Sequence, residues 1–262
     1  MANNASNTAL ITGASSGIGA EFARYHAAQG GDLIIVARRK AALDDLKAEL
    51  EAAHSVNVTV LAMDVGTPAQ AKELYARVRE MGLRVDILIN NAGFGGHGRF
   101  LDRDLDRDQA MIDLNVSALV TLSHLVGNAM RDQGGGKMLQ VSSTAGMMPG
   151  PFQAVYFATK AFVTSFSQAI DEEMRPLGIT STALCPGLVH TEFVATADLG
   201  GTGLSKQKGS SAASVAKCGY DAMMRGDLVV INERQLSFML NWVMPWLPRR
   251  RALKMMAGMQ AK

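Results

Sequence analysis

The sequence predicts an α/β fold: one doubly wound parallel sheet with helices on both faces. Two observations carry this. Seven short runs, apolar on both faces, alternate with amphipathic stretches, which is how parallel strands covered by crossover helices read. The first run also breaks into a glycine-rich turn that opens a helix, the junction at which such sheets receive a nucleotide. The order β-α-β-α-β makes the class Rossmann-type, with about seven strands in a single domain.

The strands are "TALIT" (8–12), "DLIIVA" (32–37), "NVTVLA" (57–62), "VDILIN" (85–90), "KMLQVS" (137–142), "GITSTAL" (178–184) and "DLVVI" (227–231). Helical patterns lie near 17–29, 40–53, 67–81, 106–132, 153–176 and 211–225. No Pro/Ser-rich linker, low-complexity block or internal repeat interrupts them, so residues 1–234 read as one catalytic and dinucleotide-binding domain and 235–262 as an extension. "MANNASNTAL" has neither a basic nor an apolar leader region, and a cytoplasmic protein is expected. Two distant cysteines suit a reducing compartment. The charge-free stretch 138–159 is broken by Gly146, Pro149, Gly150 and Pro151, which a membrane span would not tolerate in lipid. Net charge is +2, but Arg249, Arg250, Arg251, Lys254 and Lys262 stand in a tail without acids. The body is therefore net negative and offers no basic face for nucleic acid.

Ligands of this fold gather at the carboxyl ends of the strands. After the first strand comes "TGASSGIG", with Gly13, Ser15, Ser16, Gly17, Ile18 and Gly19 placed to bring backbone N–H groups and a helix N-terminus to a pyrophosphate. Gly13 to Gly17 also spells G-x-S-x-G, the elbow of serine hydrolases. That reading needs a late histidine, whereas the last is His190, and no oxyanion segment of the HGGG type is present. "GGGK" (134–137) lacks the first glycine of a phosphate loop, carrying Arg131 there, and reads as a turn. The second strand ends in Arg38 and Arg39 with no acid. An acid would select the ribose 2′-hydroxyl of NAD, while arginine accommodates the 2′-phosphate of NADP. Asp32 opens that strand, roughly 16 Å from its tip at ~3.3 Å per residue. Asp64 and Val65 follow the third strand, placed to meet adenine, and "NNAG" (90–93) the fourth, bringing Asn91, Ala92 and Gly93 to the groove.

Within "AVYFATKAFVTSF" (154–166), Tyr156 and Lys160 are four apart. On a helix that is one turn, ~6 Å of rise, so a phenol and an ammonium leave the same face.

Together these residues resemble the short-chain dehydrogenase/reductase family, in its NADP-preferring carbonyl reductase branch, over roughly residues 6–232. The resemblance rests on TGxxxGxG, NNAG, Asn115 in "DLNV", the serine of "VSSTAG", YxxxK and "PGLVHT". The family's serine lies thirteen residues before the tyrosine, which selects Ser143 over Ser142. It implies NADP as cofactor and hydride transfer between nicotinamide and a carbonyl or secondary alcohol. Tyr156 is implied as general acid/base and Lys160 as the ribose ligand whose charge lowers the phenol pKa. Ser143 is implied to bond the reacting oxygen and Asn115 to hold a relay water. Pro186, Gly187, Val189 and Thr191 are implied around the carboxamide and diphosphate. It also implies a homodimer or homotetramer, paired through the helices near 106–132 and 153–176.

His97 and His190 fall on the ligand side without partners at metal-ligand spacing, so no metal is expected. The family geometry suggests pocket walls of Phe94, Met147, Phe152 and Phe193, and the Gly-rich segment 193–210 reads as a substrate lid. A ketone with hydrophobic flanks is the expected substrate. Two other classes remain: a nucleotide-binding regulator without turnover, and the serine hydrolase. Gln235 to Pro248 is charge-free and carries Trp242 and Trp246 ahead of three arginines. It reads either as an interfacial anchor on an acidic membrane or as a segment packed over the pocket or a partner subunit. The second is preferred, because relatives vary specificity in this region, and Pro245 and Pro248 should break any helix there.

Overall fold

The computed structural model describes residues 7–203 and 208–262. Most of the opening stretch (1–6), and 204–207 within the expected lid, lie outside them. Seven parallel strands form one sheet in the order β3-β2-β1-β4-β5-β6-β7. They are β1 (Thr8–Thr12), β2 (Asp32–Ala37), β3 (Val58–Ala62), β4 (Ile87–Asn90), β5 (Gly136–Val141), β6 (Ile179–Leu184) and β7 (Val229–Val230). Strand order reverses between β1 and β4, and that switch point opens the crevice in which an α/β sheet binds its ligand.

Alternation along each strand divides the core. Ala9 and Ile11 of β1 join Leu33 and Ile35 of β2 on one face, under Phe22 of α1 (Gly17–Ala28), Leu43 of α2 (Lys40–Ala53) and Val215 of α8 (Ala212–Arg225). Leu10, Ile34 and Val36 face the other side, under Leu74 of α3 (Pro68–Glu80) and Val126 of α5 (Leu119–Gln133). Burial on both faces is why these strands carry almost no polar residues. Asp32 opens β2 and accepts from the Asn57 backbone N–H at 2.7 Å, far from the cofactor end.

Three boundaries depart from the sequence reading. β4 starts at Ile87 and not 85, and β7 shrinks to two residues at the sheet edge, where a strand has one neighbour to pair with. The helix expected near 106–132 is three pieces: α4 (Leu105–Ile112), a π-helical turn (Asp113–Ala118) and α5. Such turns insert a residue into the helical register and occur often at functional sites; this one contains Asn115. Helix α6 (Ala154–Met174) carries Tyr156 and Lys160. Short α7 (Glu192–Thr196) follows β6.

The C-terminal segment is helical but broken as its prolines require. Helix α9 (Arg234–Phe238) runs into a π turn and a 3₁₀ turn at Met244–Trp246, and α10 (Arg249–Gln260) begins after Pro248. Its Met256 and Gln260 are buried against the body.

Candidate active site

One cavity of about 1090 Å³ runs along the carboxyl ends of the strands, from the glycine turn past Tyr156 to the C-terminal helices. At its first end the β1–α1 turn is shaped by glycine. Gly13 and Gly17 have φ of 69° and 56°, the left-handed region that costs glycine little. A Cβ on Gly13 would stand 2.9 Å from Asn91 Nδ2, and one on Gly19 would overlap the Gly13 carbonyl. The strand-β4 segment braces this turn. Asn91 Nδ2 donates to the carbonyls of Thr12 and Gly13 at 2.9 and 3.2 Å, while Thr12 Oγ1 accepts from the N–H groups of Asn91 and Ala92. Ser15, Ser16, Gly17 and Ile18 line the groove, as do Asp64, Val65, Ala92 and Gly93, and Pro186, Gly187, Val189 and Thr191 from the β6 end. Gly19 does not; it packs behind the turn.

Arg38 and Arg39 both border the groove but are not equivalent. Arg39 pairs with Glu192 of α7 at 2.9 Å, and its Nε donates to Ser15 Oγ. Ser16 Oγ donates to the same carboxylate at 3.0 Å. Glu192 therefore ties the segment after β6 to the loops after β1 and β2. The Arg39 and Ser16 hydrogen bonds hold its pKa below the usual carboxylate range. Sequence reasoning passed over Glu192, although it directly follows Thr191 in "PGLVHTEF". Ser15, the would-be hydrolase nucleophile, accepts from Arg39 and not from a histidine.

Tyr156 and Lys160 are both buried, and Lys160 Nζ lies 5.9 Å from the Tyr156 ring centre. Burial pushes the phenol up to about 12, against a hydrogen bond from Ser143 that pulls it down. Burial likewise lowers Lys160 to about 8. The expected depression of the tyrosine pKa is thus not produced by the protein's own groups. Lys160 Nζ donates to the Val141 carbonyl at 2.8 Å, and desolvation of the phenol outweighs what surrounds it.

Ser142 and Ser143 part ways at the end of β5. Ser142 Oγ donates to the Lys160 carbonyl at 2.8 Å and shares a 2.7 Å hydrogen bond with Thr164 Oγ1. Ser143 Oγ accepts from the Ala145 N–H and lies beside the phenol. Asn115 is held by its side chain. Its side chain is buried, accepts from Phe94 N–H, and donates to the Phe94 carbonyl and Thr159 Oγ1. With these partners it staples the β4 loop to α6 one residue before Lys160.

Beyond Tyr156 the cavity is largely apolar. Phe94 and Phe193 line it as expected, but Met148 takes the place expected of Met147, which ends the 3₁₀ turn Thr144–Met147. Phe152 instead stacks on His97 at 5.9 Å. The remaining wall comes from Leu236, Met239, Met244, Met255, Met256 and Met259 of the C-terminal segment. That segment thus turns methionines to the pocket while Trp242 and Trp246 stay exposed. Neither tryptophan is buried by the chain itself. His97 Nε2 bonds the Gln260 carbonyl at 2.7 Å and His190 Nε2 accepts from Gly209 N–H. Among the described residues no group of three His, Cys, Asp or Glu could hold a metal.

A sheet switch point with a glycine turn, an arginine-tipped β2 and a buried Tyr/Lys pair can be compared with known proteins. The sequence profile described as "short chain dehydrogenase" matches residues 7–200. The chain belongs to the short-chain dehydrogenase/reductase family. It is 33% identical over 191 residues to a very-long-chain 3-oxoacyl-CoA reductase of Anas platyrhynchos, a match covering 71% of this chain and 60% of that protein. It is 34% identical over 186 residues to a 3-oxoacyl-[acyl-carrier-protein] reductase of Synechocystis, covering 71% and 75%. A short-chain dehydrogenase from Sphingobium yanoikuyae, solved in complex with NADPH, superposes with a TM-score of 0.83 at 32% identity, over 95% of each chain.

The family match and the NADPH-bound relative support a nicotinamide dinucleotide as the group this cavity takes. The residues present fit that group. The glycine turn closes to a backbone surface that a Cβ would obstruct, the cavity continues unbroken to Tyr156, and arginines flank the opposite end. Gln153 and Gln260 are further cavity residues that the sequence reading missed. Gln153 stands three residues before the tyrosine; for Gln260 no local signal existed.

Proposed function

We propose that this protein is an NADP(H)-dependent reductase of ketones with hydrophobic flanks, and in reverse a dehydrogenase of the corresponding secondary alcohols. The single observation that carries the proposal is the position of Tyr156: a buried phenol where the dinucleotide groove meets a methionine-lined pocket. The dinucleotide, when bound, supplies or accepts the hydride. Tyr156 Oη gives its proton to the carbonyl oxygen as the carbon is reduced, or takes it from the alcohol in reverse. Burial raises its pKa, which favours the protonated, donating form of the phenol. Ser143 Oγ shares the reacting oxygen with it. Lys160, one turn further along α6, would hold the ribose. Asn115 acts at one remove, holding the β4 loop against the turn of α6 that carries the lysine. The apolar wall excludes water from the exchange and selects bulk over charge.

NADP is preferred over NAD in this reading, supported by Arg38 and Arg39 at the tip of β2 and by the NADPH bound in the Sphingobium relative. The 3-oxoacyl reductases among its relatives support carbonyl reduction as the reaction. Following NADPH oxidation against a panel of bulky ketones tests the proposal. Activity that Tyr156→Phe reduces more than a hundredfold, with NADPH affinity retained, is the expected result. A variant keeping a tenth of wild-type turnover would remove Tyr156 as the acid.

A further inference from the structure

Among the described residues, four buried side-chain atoms lack a hydrogen-bond partner, and two of them, Gln153 Oε1 and Gln260 Nε2, belong to residues on the cavity wall. Gln153 immediately precedes α6, three residues before Tyr156, and its side chain makes no capping hydrogen bond; Gln260 is the last residue of α10. Their side chains meet: Gln153 Nε2 donates to Gln260 Oε1 at 2.5 Å. Both residues are almost wholly buried, at 2% and 0% exposure. One hydrogen bond between two amides leaves one carbonyl oxygen and one NH₂ group over. Exchanging O and N in both amides leaves the same remainder, so the count does not depend on how they are oriented.

Buried polar groups without partners are rare in folded proteins, and each asks for an explanation. Here the neighbouring wall is methionine and phenylalanine, which offer no strong partner. The position of the pair is nevertheless well determined. His97 Nε2 holds the Gln260 backbone carbonyl, and His97 stacks on Phe152. Arg103 donates to the His97 carbonyl and is itself paired with buried Asp108. One unpartnered acceptor and one unpartnered donor, on two hydrogen-bonded residues of the cavity wall, would be satisfied by a group that both donates and accepts. A single hydroxyl does this, with its hydrogen on Gln153 Oε1 and its lone pair facing Gln260 Nε2.

We infer that the Gln153–Gln260 pair is a substrate subsite for a hydroxyl group carried on an apolar ketone, so that the substrate class is hydroxyketones. The inference rests on the reductase reading above and deepens it. Two series of probe ketones test it. One is cyclohexanone with hydrogen, hydroxyl or methoxy at carbon 4. The other is 4-cyclohexylcyclohexanone with the same three groups at the far ring's carbon 4. The methoxy members can accept but not donate. The expected result is a kcat/KM about tenfold higher for the hydroxyl member than for both analogues in at least one series, the size of one net hydrogen bond. Gln260→Leu and Gln153→Leu should each remove that preference.

Direct calorimetric titration of the Tyr156→Phe protein with the same ketones reads the subsite without turnover and should show the same order. Equal values for the three members in both series and in the titration overturn the subsite, as does a preference that survives Gln260→Leu. Should Gln153→Leu fail to fold, Gln260→Leu alone decides. Wild-type protein that reduces none of the ketones yet binds the hydroxyl members selectively overturns the reductase reading and leaves the subsite standing.

Discussion

Removing the charge of Glu192 should tighten NADPH binding, while removing that of Arg38 should weaken it. In the protein Arg39 is shared between Glu192 at 2.9 Å and Ser15, and both members of the ion pair are half-exposed or more. An exposed pair of this kind contributes about 0–1 kcal/mol. A 2′-phosphate that recruits Arg39 must displace or share that contact. Arg38 forms no hydrogen bond or ion pair among the described residues, and its contact with phosphate is offset by no such loss. A hydrogen bond to a charged group contributes ~1.5–3 kcal/mol. Arg38→Ala should therefore weaken NADPH about tenfold to a hundredfold, with NADH changed within about twofold. Arg39→Ala should cost less than Arg38→Ala. Glu192→Gln, which keeps a partner for Ser16 but frees Arg39, should tighten NADPH by up to about fivefold. Calorimetric titration of each variant with NADPH and NADH at low and physiological salt measures all of this, and the NADPH advantage should shrink as salt screens it. NADH binding as tightly as NADPH to the wild type refutes the reasoning, and so does a Glu192→Gln protein with weakened NADPH affinity.

The two serines at the end of β5 should separate stability from catalysis. Ser142→Ala strands the buried partners of its hydroxyl and should lower stability by ~1–3 kcal/mol in urea titration with kcat nearly kept, whereas Ser143→Ala should lower kcat with little change in stability. Reductive kcat/KM should hold below about pH 8 and fall above it as Lys160 loses its proton. Stability should run the other way: the unfolded lysine, at its ordinary 10.5, holds a proton the buried one has released, so folding gains as pH rises from about 8 to 10.5. A pH–rate profile and urea melts across that window check both signs. Asp108→Asn removes the buried carboxylate that pairs with the partly buried Arg103 guanidinium and should cost about 3–5 kcal/mol, read as a lowered urea midpoint.

Much of the site was legible because its signals are local. Tyr156 and Lys160 face one way because they are one helical turn apart, and Gly13, Gly17 and Gly19 bend the chain within a single loop. Apolar runs such as "DLIIVA" became strands within a residue of their expected limits, since burial on both faces marks their ends sharply. Edges were less legible: β7 kept only Val229 and Val230, having one neighbour to hold it. The π turn at Asp113–Ala118 left no mark in a sequence that is periodic on either side of it.

Tertiary structure decided how each polar group is spent. Asn115 was found by its place in the chain, but its amide is consumed by Phe94 and Thr159. Glu192 reaches Ser16 across 176 residues, and Gln260 reaches Gln153 across 107. No local pattern encodes such meetings. The pKa of Tyr156 followed the same rule, because desolvation depends on everything packed around the phenol and not on the lysine one turn away. The sequence by itself determined the sheet, the glycine turn and the residues that can do the chemistry, since periodicity and turn geometry act over a few residues. Only the tertiary structure decided which of those residues are free to act and what shape of substrate meets them, since burial and hydrogen-bond partnership are properties of the packed chain.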